Sequence, residues 1–297
     1  MPAEIAVVVG AQNAKSTIGQ CLNSVLSQLQ GLEAELFVAD GSSDGTDRIV
    51  SSTFPTIALI HLEGEKLVPH LWGAGIERTS APIVAITTAH CIPAADWIQS
   101  ILKQARNQTD CAGVGGAIDA PSNGTALDWA VYFSRYSAFM PPVADGVVAD
   151  IPGDNAAYRK DALDRCWTDR TNGFWETLFH HAVRQSGGKL YMSPAVAVRL
   201  GTTDSATDYF HARYKHGEHY GSSRPNNSGA IKLVRIATAP ILMPYLVLRI
   251  GARVAKARPD WLIHYIFALP WLIFFMTGWS LGEIQGYLHS GKPDVAS

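Results

Sequence analysis

Short, unbroken apolar runs alternate with segments of helical period over the first hundred residues. Residues 5–9 (Ile-Ala-Val-Val-Val) form a continuous apolar run, the pattern of a strand buried on both faces of a parallel sheet. Gly10-Ala11-Gln12-Asn13 follows as a loop. Ile18, Leu22, Val25, Leu26 and Leu29 then recur on one helical face. Thr17-Ile18-Gly19-Gln20 has the form of a capping box at the start of that helix, and Gly31 can end it. Further strands are predicted at residues 36–39, 57–60 and 83–86. Helices are predicted around 47–50 and over 95–104, where Trp97, Ile98, Ile101 and Leu102 face inward. Such alternation predicts an α/β fold with a parallel sheet and right-handed crossovers.

After Ala112 the alternation weakens. The pattern gives a strand over 114–118, a helix over 126–138, a long loop over 141–152 and a helix over 176–186 stopped by Gly187-Gly188. Residues 191–198 read as a strand broken by Pro194. Two apolar runs close the chain. Residues 236–248 contain Pro240 and Pro244 and are too few for a bilayer, which takes about 20 residues. Residues 261–281 carry no formal charge, are interrupted by Pro270 and Gly278, and are long enough to span. Trp261, Trp271 and Trp279 suit interfacial depth. Arg249, Arg253, Lys256 and Arg258 lie between the runs, and the positive-inside rule places them in the cytosol. An N-terminal domain on that same side requires the first run to lie in the interface or re-enter. Both runs also read as core helices of a soluble protein, but membrane association is the reading carried forward. The expected division is an α/β domain over 1–230 and a membrane-associated helical region over 231–297.

Composition narrows the class. The 297 residues are 47% hydrophobic and 17% charged, enough to bury a core and unlike a disordered chain. The net charge of −2 points to no polyanionic partner, so nucleic acid is not expected. The charge is unevenly spread: between Tyr209 and Pro259 nine basic residues face one acid, Glu218. A basic stretch beside apolar runs suggests a membrane-facing end. Cys21, Cys91, Cys111 and Cys166 are scattered, as expected of reduced thiols in a cytosolic setting. The N-terminus has no basic region followed by a long apolar run, so no signal peptide is expected.

Candidate chemistry begins at residues 36–46, Leu-Phe-Val-Ala-Asp-Gly-Ser-Ser-Asp-Gly-Thr. An apolar strand runs into Asp40, then Gly41, then Ser42 and Ser43. In open α/β sheets, ligands sit outside the carboxyl ends of strands. A carboxylate there can accept hydrogen bonds from a base or a ribose. The same residues also read as a surface turn with Asp and Gly in their usual roles.

Taken in order, the motifs from residue 4 to residue 217 resemble a family 2 glycosyltransferase of the GT-A fold. The first strand followed by Gln12-Asn13 is similar to that family's first βα unit. Residues 38–46 resemble its Val-Asp-Asp-Gly-Ser-x-Asp-Gly-Thr block, with the nucleotide-contacting Asp at Asp40 and Ala39 replacing the preceding acid. Residues 83–93 occupy the position of the metal-binding Asp-x-Asp motif, but Thr88 and His90 stand where the two acids belong. His90 can ligate Mn²⁺, is a poor partner for Mg²⁺, and can instead donate a hydrogen bond to phosphate. It also reads as a hydrogen-bonded structural histidine. Leu71-Trp72-Gly73-Ala74-Gly75 lacks the Arg usual before this strand; Lys66 and His70 are nearby sources of positive charge. Residues 153–163 are similar to the Gly-x-Asn-x-x-x-Arg-x-x-x-Leu segment that lines the sugar and acceptor site. Trp175-Glu176, followed by Arg184 and Gly187, resembles the segment carrying the family's base, which falls on Glu176.

The resemblance implies an inverting glycosyltransferase that moves a sugar from a nucleotide-diphosphate donor, a UDP-sugar above all, to a lipid-linked or cell-envelope polysaccharide acceptor. Glu176 would be the general base, which also reads as a helix-start acid complementing the dipole. Gln12, Asn13, Asp40, Gly41, Ser42, Thr88 and His90 would bind the donor. Asp154, Asn155 and Trp175 would orient the acceptor. Arg213 and Lys215 would meet the departing diphosphate, or form a juxtamembrane patch facing anionic lipid. A divalent metal, Mn²⁺ or Mg²⁺, is the family's cofactor, and the altered acids argue against it here. The expected location is the cytoplasmic face of the cell membrane. The rival reading is a non-catalytic nucleotide-sugar-binding or scaffolding domain. A nucleotidyltransferase is disfavoured because no Gly-x-Gly-x-x-x-Arg loop lies near the N-terminus.

Overall fold

Ile5–Ala11 forms β1, and all of its residues are buried. It is the centre of a parallel group with β2 (Ala34–Asp40), β3 (Ala58–His61) and β4 (Ile83–Thr88). The connecting helices are α1 (Ile18–Leu29), α2 (Thr46–Thr53) and α3 (Val68–Ile76). Glycine lets α3 lie on β1: a Cβ at Gly75 would run into the side chain of Val8. The computed structural model describes residues 3–203, 205–224 and 229–289.

Beyond β4 the sheet turns mixed. The chain adds β5 (Cys91–Pro93), α4 (Trp97–Asn107), β6 (Cys111–Asp119), α5 (Ala126–Tyr136), β7 (Gly146–Val148), β8 (Asn155–Arg159), α6 (Lys160–Cys166), α7 (Glu176–Gln185) and β9 (Lys189–Leu200). Strand order is β3-β2-β1-β4-β8-β6-β9-β5, with β7 paired to β9. β8 runs antiparallel to both β4 and β6. Its first residue, Asn155, therefore lies opposite Thr87, at the carboxyl end of β4.

Several expectations need correction. Thr17 makes no side-chain cap; its backbone is already helical, and its hydroxyl turns back to the Ala14 carbonyl at 3.4 Å. A capping box forms instead at α5, where Thr125 and Asp128 exchange side-chain-to-backbone bonds of 3.3 and 2.8 Å. Pro194 does not break β9. The register slips so that Gly116 pairs with Ser193 and Ala117 with Ala197, and Gly116, lacking a side chain, admits the Val196 carbonyl. The loop over 141–152 contains β7, which pairs with β9. α3 has no sequence-based forecast, because Pro69, Gly73 and Gly75 disguise its helical period.

The chain divides into two compact units: residues up to Pro121 with Phe139–Thr202, and Ser122–Ala138 with the residues from Thr203 onward. This differs from an expected boundary at 230/231, because α5 and α8 (Ala206–Ser222) belong with the C-terminal helices. In that second unit, α9 (Gly229–Ala257) is longer than its apolar run and bends by 52° between Ala239 and Ile241, where Pro240 lacks a backbone donor. A 3₁₀ turn, Pro259–Trp261, leads into α10 (Leu262–His289). Residues 259–289 are long and apolar enough to cross a membrane. α5 packs its Trp129 ring flat on His264 at 4.3 Å and edge-on to Trp261 at 5.1 Å. α8 and α10 meet through glycines: a Cβ on Gly278 would lie 2.9 Å from the Phe210 ring, and one on Gly217, Gly221, Gly282 or Gly286 would strike the facing backbone.

Candidate active site

The carboxyl ends of β2, β1 and β4 fall in register. Ala11 lies opposite Asp40, and Gly10 lies opposite Ala39 and Thr88. Neighbouring strands stand about 4.8 Å apart, so Asp40, Gln12 and Thr88 project from one short edge.

Asp40 is fully buried. Its Oδ1 accepts from the Ser42 hydroxyl at 2.7 Å and its Oδ2 from the Ser42 N–H at 3.2 Å. Burial raises its pKa, and the Ser42 bonds pull it back. The same hydroxyl accepts from the Asn13 N–H at 2.8 Å, while Asn13 Oδ1 accepts from the Ser43 N–H at 3.0 Å. Asn13 takes the left-handed conformation, φ 48°, that this crossing of two loops demands. Asp44 ties the arrangement down. Burial alone would raise its pKa, but bonds from Thr46 and the Lys15 N–H lower it. Gly41 has no room for a side chain: a Cβ would lie 2.8 Å from Gln12 Oε1. That oxygen accepts from the Lys66 N–H at 3.3 Å.

At the end of β4, Thr88 Oγ1 donates to Asp154 Oδ1 at 2.9 Å, and Thr87 Oγ1 donates to the Asp154 carbonyl at 2.8 Å. β8 thus carries a carboxylate to the spot where β4 has a neutral hydroxyl. His90 Nε2 lies 3.1 Å from the Gln12 carbonyl. Asn155 is turned inward: Trp97 Nε1 donates to its Oδ1 at 2.7 Å, and its amide donates to the Ala117 and Val196 carbonyls at 2.8 and 3.0 Å. Buried and committed to these partners, Asn155 fixes β8 against β6 and β9.

Glu176 opens α7, half-buried, where an acid complements the helix dipole. Its carboxyl carbon lies 3.2 Å from where a Cβ on Gly153 would stand, which brings it beside the residue preceding Asp154. The same absent Cβ would meet the Trp72 ring at 2.8 Å. Trp72 donates its indole N–H to the Thr87 carbonyl at 2.7 Å and lies under Gly10. Its ring is therefore a buried floor linking β1, β4 and the Gly153 turn. Trp175, half-buried, meets the His70 ring edge-on at 6.5 Å. His70 Nδ1 is sealed from solvent without a hydrogen-bond partner among the described residues, and burial lowers the pKa of the ring.

The profile described as Glycosyl transferase family 2 matches residues 6–167, more than half of the chain. The chain belongs to glycosyltransferase family 2. Among curated proteins, glycosyltransferase AglE of Haloferax volcanii is 26% identical over 141 residues, covering 46% of this chain and 44% of that protein. The chain thus spans less than half the length of that relative. Among solved structures, the mannosyltransferase PcManGT from Pyrobaculum calidifontis, in complex with GDP-Man and Mn²⁺, aligns with a TM-score of 0.53 at 16% identity. The alignment covers 98% of this chain and 89% of that one. S. aureus TarS 1–349 aligns at 0.52 with 14% identity over 94% of this chain and 90% of its own. These likenesses establish the GT-A fold.

Around the end of β4 the chain thus gathers the Thr88 hydroxyl, the His90 imidazole and the Asp154 carboxylate. Among the described residues no group of three or more His, Cys, Asp or Glu side chains gathers to hold a metal ion. One hydroxyl, one imidazole and one carboxylate are a poor donor set for Mg²⁺, which wants oxygen ligands in an octahedron.

Residues the sequence did not flag support the Glu176 helix from below. Tyr158 OH lies 2.9 Å from His180 Nε2, and His180 Nδ1 lies 3.2 Å from Asp150 Oδ1, which also accepts from Arg184 at 3.0 Å. The one available signal was His180 standing on the buried face of α7, four residues after Glu176. Burial pushes the His180 pKa down to about 4 despite Asp150. An unfolded histidine takes its proton near pH 6.5, so the folded state loses stability as pH falls from about 6.5 to about 4. The loss is on the order of 3 kcal/mol. Chemical denaturation across that window should show it, and His180→Gln should flatten it. His216 of α8, also pushed to about 4, leaves a residual slope.

Arg213 and Lys215 belong to the second unit. Lys215 is exposed, 3.5 Å from Glu218. The Arg213 guanidinium stacks over Trp279 at 4.4 Å.

Proposed function

We propose that this glycosyltransferase moves a sugar, with inversion, from a nucleotide-diphosphate donor to a lipid-linked or cell-envelope acceptor at the cytoplasmic face of a membrane. The observation that carries the reading is the strand edge shared by Asp40, Thr88 and Asp154, with the Glu176 carboxyl beside the neighbouring Gly153. GDP-Man in PcManGT and UDP in a TarS complex support a nucleotide donor, a UDP-sugar being the first to test. The apolar 259–289 segment and the basic residues before it support membrane association.

In the proposed step, a base or ribose group replaces the Ser42 hydroxyl on Asp40, and Asn13, Gln12 and Gly41 frame the nucleotide. Asp154, held by Thr88, and Asn155 orient sugar or acceptor, and Trp175 flanks the ring. Glu176 takes the acceptor hydroxyl proton as that oxygen bonds to the sugar C1 and the nucleoside diphosphate leaves with its bonding pair. His90 offers a donor to the diphosphate in place of an acid that would need a metal.

Asp40→Ala should weaken UDP binding at least about tenfold, or 1.4 kcal/mol. Titration of transfer with Mn²⁺ and EDTA tests the altered acids. Chelation is expected to cost less than about tenfold in rate. A requirement for Mn²⁺ would return the site to metal-dependent chemistry, and undiminished UDP binding by Asp40→Ala would sink the nucleotide assignment.

A further inference from the structure

The second unit holds a cavity of about 320 Å³, at the small end of ligand-site volumes. Four arginines line it: Arg135 from α5, Arg213 from α8, and Arg249 and Arg253 from α9. Among the described residues its lining contains no Asp or Glu. Four guanidiniums lining one cavity repel one another, and partial burial strengthens that repulsion. Arg213 shows the cost. Its Nε is sealed from solvent and has no hydrogen-bond partner among the described residues, and burial lowers its pKa. Arg253 donates to a neutral partner, the Ser137 hydroxyl, at 3.4 Å.

The rest of the wall is of the opposite character. Leu242, Leu246, Ile250 and Met276 supply apolar surface, and Trp279 lies beneath the Arg213 guanidinium. Large apolar side chains also stand exposed along the same two helices, among them Ile241 and Leu248 on α9 and Ile266 and Phe267 on α10. Exposed apolar surface of this extent marks a contact with lipid or with another protein.

A ligand that suits all of this has a compact, multiply charged anion joined to an alkyl chain. Guanidiniums match phosphate oxygens in planar, two-point bonds, and the anion would give the Arg213 Nε an acceptor. We propose that this cavity binds the phosphate or diphosphate head of a long-chain lipid, the arginines gripping the head and the apolar wall taking the start of the chain. The inference does not rest on the proposed transfer reaction, because binding is read with no sugar donor present.

The test uses the full chain in nanodiscs of neutral phosphatidylcholine. Three probes are compared by native mass spectrometry and thermal shift: a long-chain polyprenyl phosphate, the matching alcohol, and inorganic phosphate. The polyprenyl phosphate should bind at least about tenfold more tightly than either of the others. Arg249→Gln with Arg253→Gln should cut that affinity by a further tenfold or so while UDP binding stays unchanged. Equal binding of the alcohol would remove the phosphate from the proposal. Equal binding of inorganic phosphate would remove the lipid. Unchanged affinity in a folded double variant would move the site elsewhere. If the double variant does not fold, the three-probe comparison on the native protein decides alone.

Discussion

Glu176→Gln should lower the transfer rate by about 10²–10⁴-fold, the range of a lost general base, while UDP binds as before. The substitution keeps the length and shape of the side chain and removes its ability to take a proton. Gly153 leaves room beside that carboxyl, so the amide fits without displacing Trp72 or the Asp154 turn. The fold and the nucleotide end of the site should be untouched, and the change should appear in kcat rather than in donor affinity. Glu176→Asp is the companion variant: it keeps the base but withdraws it by one methylene, and should recover part of the rate. Full activity in Glu176→Gln, measured with the same donor and acceptor, would leave the enzyme without its proposed base. Lost UDP binding in that variant would show that Glu176 acts on the donor side.

The largest effect on stability is expected from Gly282→Leu. α8 and α10 approach so closely that a Cβ at Gly282 would strike the Tyr214 carbonyl, and one at Gly286 the Glu218 carbonyl. The glycines of α8 answer in kind, with Gly217 against the Trp279 carbonyl and Gly221 against that of Glu283. Small residues at this spacing let two helix backbones pack through dispersion contacts, which are lost together when the helices separate. No rotamer of leucine avoids a clash that begins at Cβ. The cost should reach or exceed the upper end of ordinary overpacking, about 3 kcal/mol. Thermal unfolding in detergent and protease sensitivity between α8 and α10 should both report it. Gly282→Ala should fall between the two. A leucine variant that melts with the native protein would contradict the close approach.

Much of the first unit was legible in the sequence. The unbroken apolar run of β1 leaves no solvent face, so its central place in the sheet follows from hydrophobic burial alone. Asp40 and Gly41 stand at a strand end for the same reason, because polarity begins where burial stops. Glycine obscured other parts. Gly73 and Gly75 erase the apolar period of α3, yet Gly75 is required by Val8. Gly116 hides the bulge that lets β9 continue past Pro194. In each case the residue is chosen by a neighbour distant in sequence, and a local pattern carries no record of that neighbour.

The sequence by itself determined the strand–helix alternation, the acid at the end of β2, the carboxylate at the start of α7 and the apolar character of the last helices. These follow from which side chains avoid water and from spacing along a single element. Only the tertiary structure decided that β8 runs against β4 and hands Asp154 to Thr88, that Asn155 is held by Trp97 and two carbonyls, and that Arg135, Arg213, Arg249 and Arg253 share one cavity. Those juxtapositions depend on strand direction and helix crossing, which are fixed by packing over the whole unit and not by any residue's own preference.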